Sequence, residues 1–432
     1  MMSRCTYFLL LLIFFSCTTQ PKEEIHLLHD VQIIDPEEGE VQRFEQMALK
    51  DGRIHYVGER KDWDSYKIIG EDSLPGKYLL PPLWDMHSHL AWDAANDSLL
   101  FPFLFFHGIL GLRDMGGDLG ILKSFKEKVA KNPSFGPQIF GAGPILDGNP
   151  PIMMDVSLPL DEDADFPYIL DSLKNGGADF FKVYSLLKED ALREISSFSD
   201  QSQLSFQGHL SEYVDPEISI SLGQKSVEHL NRLEEIAAND QERFEEIGEL
   251  MAKEESWLCP TLVIYQKKAF MDDPGLENEV YHDFIPPVLK AEWEGSKKRR
   301  LKDKSPEDWA AAKALFEEQK AWVYQLHKMG VKLLAGSDFA GMPYVYPGLG
   351  LWEELDLLKE IGLSDKEVLK IACQHPIEFL GLQEEYGKLE VGKKADFLLL
   401  SENPLKDIQN IRNIDMVYRD GNRMSSLFHT FP

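Results

Sequence analysis

Between residues 79 and 382, short apolar runs alternate with longer amphipathic stretches. Repeated strand–helix units need that rhythm. Strands buried on both faces read as continuous apolar runs, and the helices that cover them read as two-sided. Eight strands are predicted, at 83–87, 111–114, 138–142, 180–184, 205–209, 226–229, 257–262 and 332–337. The pattern predicts an α/β protein with an eight-stranded (β/α)8 barrel over 81–382. The gap between the last two strands is long. Residues 267–330 are charged, and Ala310, Ala311, Ala312, Ala314 and Leu315 mark a helix within them. A helical insertion over one end of the barrel, able to act as a lid, is expected there. The alternative is a merely elongated outer helix.

The two ends of the chain read differently. Val31-Gln32-Ile33-Ile34, residues 46–49 and Ile54-His55-Tyr56-Val57 are short strands, and Asp51-Gly52 between the last two is a hairpin signal. So few strands do not stand alone. Residues 395–400 form a continuous apolar strand, and Met416-Val417-Tyr418 precedes Asp420-Gly421. The two ends, 25–80 and 383–432, are therefore expected to meet in one small β-sandwich domain, with the barrel inserted between them.

Residues 1–17 read as a targeting segment. Arg4 supplies positive charge, 8–15 is an apolar run, and Ser16 precedes Cys17. The run is too short for a permanent transmembrane helix. It resembles a bacterial lipoprotein signal peptide in which Cys17 is lipidated. Phe14 departs from the aliphatic residue usual three positions before the cysteine, so secretion without lipid is the alternative. An exported protein of the bacterial cell envelope is expected, touching the membrane only through a lipid anchor.

Charge and composition narrow the classes further. The chain has 432 residues, 43% of them hydrophobic, and a formal net charge of −28. That is ample for a barrel of about 250–300 residues plus a smaller domain. The negative field excludes nucleic acid and anionic membrane surfaces as partners. Lys297-Lys298-Arg299-Arg300, the one dense basic run, is expected to be a solvated helix face. The four cysteines form no C-x-x-C pair, so a zinc knuckle or disulfide framework is not expected, and Cys259 and Cys373 read as buried thiols.

Six residues on five strands carry candidate chemistry. His87 and His89 lie two apart on an extended strand, so both rings point to one side and can pair on a metal. Lys182 follows Asp179-Phe180-Phe181, where a charged residue is out of place. Either its stem is buried and its amine reaches solvent, or carbon dioxide carboxylates it to an anion that can bridge two metals. His209 and His229 end successive strands, and each alone reads as a core or loop histidine. Asp338, ending the last strand, can be a metal ligand, a proton carrier or a helix N-cap. Together these residues sit at the C-terminal ends of strands one, four, five, six and eight. In an α/β barrel, that is the face where chemistry is done.

These motifs carry a resemblance. The chain resembles the amidohydrolase superfamily, in its imidazolonepropionase and Xaa-Pro dipeptidase-like branch. The resemblance rests on Leu83-Trp84-Asp85-Met86-His87-Ser88-His89, Gly111-Leu112-Arg113-Asp114-Met115-Gly116-Gly117, Phe181-Lys182-Val183-Tyr184, Val227-Glu228-His229 and Gly336-Ser337-Asp338. It implies a TIM barrel with a two-metal site and a hydroxide bridging the ions. By similarity, His87, His89, Lys182 and Asp338 hold the more buried metal, and an N6-carboxylated Lys182, His209 and His229 hold the other. Zinc is the first expectation, with manganese, cobalt or iron also suited to these ligands. Asp338 takes the proton from the attacking hydroxide and passes it to the leaving nitrogen. Tyr184 either binds substrate or forms the wall. Many relatives carry a glycine-histidine segment after the third strand. Residues 146–151 here contain no histidine, which leaves substrate choice open.

The reading is thus a metal-dependent hydrolase of a carbon–nitrogen bond. Its expected substrate is a small-molecule amide: a dipeptide, an N-acyl amino acid or a cyclic amide. Two rivals remain. One is a mononuclear-metal deaminase, and the other a non-catalytic surface lipoprotein that binds a ligand.

Overall fold

The computed structural model describes residues 22–277 and 279–424. The leader at 1–17 and its Cys17 lie outside the described residues.

Five strands come first: β1 (Glu24–Asp35), β2 (Glu40–Lys50), β3 (Arg53–Gly58), β4 (Lys67–Ser73) and β5 (Tyr78–Leu80). β2 and β3 form an antiparallel hairpin. Its turn is Asp51-Gly52, with φ of 50° and 73°. Two successive positive φ angles mark the turn whose twist matches the flanking strands.

Parallel strands follow. β6 (Leu83–Ser88), β7 (Ile109–Asp114) and β8 (Gln138–Gly141) make a three-stranded sheet. A six-stranded sheet contains β9 (Ile145–Gly148), β10 (Ser157–Leu160), β11 (Phe181–Val183), β12 (Phe206–Gly208), β13 (Ser226–Glu228) and β14 (Trp257–Cys259), in the order β10-β9-β11-β12-β13-β14. Helices such as Leu119–Lys131, Glu189–Ser202 and Gln241–Lys253 run between them, each with a buried apolar stripe. The result is an α/β fold with parallel sheets, consistent with a TIM barrel.

Backbone hydrogen bonds link the two parallel sheets at both ends. Asp179 N donates to Gly141 O at 2.9 Å, next to β8. On the other side, Leu334 N donates to Leu258 O in β14 at 2.8 Å, and Asp338 N donates to His87 O in β6 at 2.7 Å. The segment expected as the eighth strand therefore lies between β14 and β6. It forms isolated bridges there, not a continuous ladder. Two local features explain this. Ser337 N bonds the Asp85 carboxylate at 3.0 Å instead of a strand carbonyl, and Asp338 has φ of 54°, outside the strand region. Gly336 permits the close approach, since a Cβ there would lie 2.5 Å from the Cβ of His87 and 2.7 Å from the sulfur of Cys259.

The seventh strand also ends earlier than expected. Pro260 has no N–H to give, Thr261 has φ of 49°, and a helix starts at Leu262. The short pair β9 and β10 was not anticipated.

Within 267–330 lie the helices Pro287–Leu301 and Pro306–Lys328. The second opens on a capping box of Ser305 and Asp308. The first is pinned by Trp293, which is buried with its ring 5.9 Å from Tyr344 and 5.4 Å from Tyr346. Both tyrosines follow Asp338 closely in the chain, so this helix packs beside the last strand's exit.

The C-terminal strands are β15 (Phe397–Leu400), β16 (Ile414–Arg419) and β17 (Asn422–Arg423). β15 pairs antiparallel with β5, placing Leu399 opposite Leu79. The two chain ends thereby form one eight-stranded sheet. Leu28, Met47 and Leu79 from the first end share a core with Phe397, Leu399 and Tyr418 from the second.

Candidate active site

His87 and His89 in and beside β6, Lys182 in β11, His209 after β12, His229 after β13 and Asp338 all line one cavity of about 270 Å³. His89, His209 and His229 directly follow their strands, His87 is the penultimate residue of β6, and Lys182 is the middle residue of the short β11. The short strands bring together residues 251 positions apart in the chain. Gly208 turns the chain before His209 with φ of 144°, and a Cβ there would lie 2.0 Å from Val183 O. His229 has φ of 65°, in the left-handed region. Non-glycine residues held there are characteristic of functional sites.

The imidazoles are oriented from behind. His87 donates Nδ1–H to the Glu228 carboxylate at 2.8 Å, and His89 donates Nδ1–H to Gly116 O at 3.1 Å. His229 donates Nδ1–H to Thr261 Oγ1, whose own proton goes to Pro260 O at 2.8 Å. His209 Nδ1 lies 3.0 Å from both Ser185 Oγ and the Asn231 side-chain amide. For His87, His89 and His229 this fixes the tautomer and frees the Nε2 lone pair. Their Nε2 atoms face Asp338, at 3.5, 3.1 and 3.9 Å from its carboxylate. Ligand atoms of His87, His229 and Asp338 lie within 4.8 Å of one another. The rings of His87 and His229 are 4.8 Å apart, and those of His209 and His229 are 4.9 Å apart.

The electrostatics suit metal binding. Burial pushes His87 down to about 4, against the opposing charge of Asp338, and burial holds His209 and His229 well below the usual range. Neutral imidazole is the ligating form. Burial also lowers Lys182 to about 8, although Glu228 favours its ammonium. The Lys182 amine is 1% exposed at residue level and has no hydrogen-bond partner. A buried orphan amine among four imidazoles and a carboxylate is an incomplete site, and divalent metals fit this donor set.

Tyr184 is stacked on His209, with ring centroids 3.9 Å apart and planes 28° apart, and also lines the cavity. His107 and His375, outside the strand-end pattern, are buried and hydrogen-bonded to Phe103 O and Leu333 O, both at 2.7 Å. Cys259 and Cys373 are buried free thiols, as expected.

Sequence reasoning gave no role to several supporting residues. Arg113 and Glu228, inside all-buried strands, form a buried ion pair behind His87 at 2.8 Å. Asp85 accepts from His87 N at 3.2 Å and from Ser337 Oγ at 2.6 Å. Burial raises its carboxyl to about 6. The signal was available: charged residues at positions where strand periodicity demands apolar ones. The basic run behaves partly as expected. Lys298, Arg299 and Arg300 are exposed, Lys297 is half-buried, and Arg300 also lines the cavity.

Glu354 supports the helix Leu262–Ala269 by accepting from Val263 N at 2.8 Å. It is fully buried, and that burial raises its carboxyl from 4.5 to about 8. Between these values the folded chain binds more protons than the unfolded one. Stability from this group is complete below about 4.5 and is lost as pH rises through about 8. Glu354→Gln is expected to match the parent near pH 5 and to be more stable near pH 9, by on the order of 2–4 kcal/mol. Urea titrations at both pH values check this, and parallel pH dependence in the two proteins would refute it.

Residues 186–424 match the amidohydrolase family. The chain belongs to that family. It is a hydrolase acting on carbon–nitrogen bonds, of a class that generally holds divalent metals. The matched region includes His209, His229 and Asp338, and geometry adds His87, His89 and Lys182. No curated protein matches this amidohydrolase in sequence. Solved structures share its fold. An Xaa-Pro dipeptidase with methionine bound in its active site has a TM-score of 0.71 at 18% identity, covering 92% of this chain and 99% of that one. Bottromycin amidohydrolase has a TM-score of 0.75 at 19% identity, covering 95% and 89%. A putative prolidase from Bifidobacterium longum has a TM-score of 0.71 at 19% identity, covering 95% and 99%.

Proposed function

We propose that the chain is a two-metal amidohydrolase that cleaves the amide bond of a dipeptide, an N-acyl amino acid or a cyclic amide. One observation carries this reading: oriented histidines and Asp338 surround a buried lysine amine that has no hydrogen-bond partner among the described residues. His87, His89, Lys182 and Asp338 would hold one ion, and Lys182, His209 and His229 the other. Lys182 would be N6-carboxylated, its neutral amine adding to carbon dioxide with loss of a proton. The lowered pKa favours that step. Zinc is the leading candidate.

Bound there, two divalent ions would supply activated water at neutral pH and polarise the scissile carbonyl. Asp338 accepts the proton of the attacking water and delivers it to the leaving nitrogen. Tyr184, stacked on His209, presents its ring to substrate. Burial, with Asp338 and Asp147 nearby, raises its hydroxyl above the usual tyrosine range, so it stays protonated and can donate.

The hydrogen bonds from 332–338 to β14 and β6 support closure of the strands into a barrel over 81–382. The shared sheet supports a small β-sandwich domain from 25–80 and 383–432, with 267–330 as a helical insertion. Export through 1–17 and lipidation at Cys17 remain part of the proposal on sequence grounds.

Elemental analysis with a substrate screen tests the function. Two divalent ions per chain and turnover of at least one dipeptide, N-acyl amino acid or lactam are expected. Lys182→Ala should lose both metal and turnover. One ion per chain with full activity in Lys182→Ala would favour a deaminase. Tight binding of one compound without turnover of any would favour a binding protein.

A further inference from the structure

The cavity has a second chemical character away from Asp338. Lys268, from the helix Leu262–Ala269, and Arg300, from the helix Pro287–Leu301, both line it. Lys268 has no hydrogen-bond or ion-pair partner among the described residues. Its neighbour Lys267 is held by Glu353 at 2.8 Å. Among the described residues, the side-chain hydrogen bond of Arg300 is to Ser296 Oγ, at 3.4 Å, on its own helix. In the same basic run, Lys297 has an acidic neighbour, Glu277, at 3.9 Å.

The acids of the chain outnumber its bases by 73 to 45, yet these two cations are left without carboxylate partners. Asp338 is the one carboxylate lining the cavity, and the histidines already face it. Ile145, Met153, Ile264 and Met342 supply apolar wall. Both cations belong to exposed residues, so the cavity meets solvent on this side. A guanidinium and an ammonium together suit a carboxylate, the first by paired N–H groups and the second as a point charge.

We propose that Lys268 and Arg300 bind the free carboxylate of the substrate, so that the enzyme takes N-acyl or peptidyl amino acids with an uncapped C-terminus and not neutral cyclic amides. This rests on the amidohydrolase reading of the same cavity. The carboxylate sits at the Lys268 and Arg300 end, the scissile amide lies beside Asp338, and an apolar side chain packs on the wall between. The helix Pro287–Leu301 then acts in specificity, since it brings one of the two cations.

The test uses full-length, metal-loaded protein and matched probes: N-acetyl-L-methionine, N-acetyl-L-leucine and N-acetyl-L-phenylalanine, each against its carboxamide. Calorimetric binding is the readout, with turnover measured separately. At least one acid is expected to bind about tenfold or more tighter than its carboxamide. Lys268→Met and Arg300→Met should each reduce that ratio, and the double variant should bring it near one, with metal content unchanged. Salt should weaken binding of the acid but not of the carboxamide. No preference for any acid, or a preference retained in the double variant, would overturn the proposal. Preference for the acid without turnover of any amide would leave the carboxylate site standing and sink the amidohydrolase reading. Turnover without the preference would do the reverse.

Discussion

Replacing Asp338 with asparagine is expected to lower kcat by about 10³-fold or more with little change in the folded structure. The substitution keeps volume and shape but removes the charge and the proton acceptor. Asp338 is the carboxylate on which His87, His89 and His229 converge, at 3.5, 3.1 and 3.9 Å. Burial alone would raise its carboxyl, but the facing histidines, His87 first, outweigh burial and hold it well below the usual range. Backbone conformation favours asparagine as the probe. Asp338 has φ of 54°, which asparagine adopts as readily as aspartate, whereas alanine would add strain. Since Asp338 would act on the proton in flight, kcat and kcat/KM should fall together. Steady-state kinetics on the best substrate, beside metal analysis and circular dichroism, check the result. Activity within about tenfold of the parent would remove Asp338 from the proton-transfer role.

The residues aimed at the cavity were legible because their types contradict their surroundings. A lysine after Asp179-Phe180-Phe181 and histidines closing apolar runs stand out once the strands are placed. The sheet shared by the two chain ends was also legible, because neither end has enough strands to bury its own apolar positions. Other features depend on geometry that one-dimensional patterning does not carry. The last strand reads as a regular apolar run, yet it is divided between β14, β6 and the Asp85 side chain. Lys268 lies near the end of a largely buried helix and Arg300 near the end of a charged one, and only the fold brings both to the lining of one cavity. The partners of the histidines were hidden in the same way: Glu228 and His87 are 141 residues apart.

The buried pair behind the site gives the largest expected loss of stability. Arg113 is completely buried and uses its whole guanidinium. Nε donates to Met86 O at 2.6 Å, and Nη1 donates to Gln207 Oε1 at 2.6 Å and Ser226 Oγ at 2.9 Å. Nη2 donates to both oxygens of Glu228, at 2.8 and 2.9 Å. One side chain on β7 thereby ties together β6, β12 and β13, three strands that carry or precede histidines of the site. Burial would raise the Glu228 carboxyl, but Arg113, and then His87, keep it well below the usual range. Arg113→Met keeps most of the volume and removes the cation, leaving Glu228 buried and uncompensated. The expected cost is about 3–5 kcal/mol, the penalty for breaking a buried pair from one side. Metal content should fall too, because a Glu228 that takes up a proton no longer holds His87 by charge. Adding Glu228→Gln should restore part of the stability, since the double variant buries no charge, but not the metal affinity. Urea denaturation and metal titration of the two variants separate these effects. A loss below about 1 kcal/mol in Arg113→Met would mean that Glu228 is neutral in the fold and that His87 is oriented by shape alone.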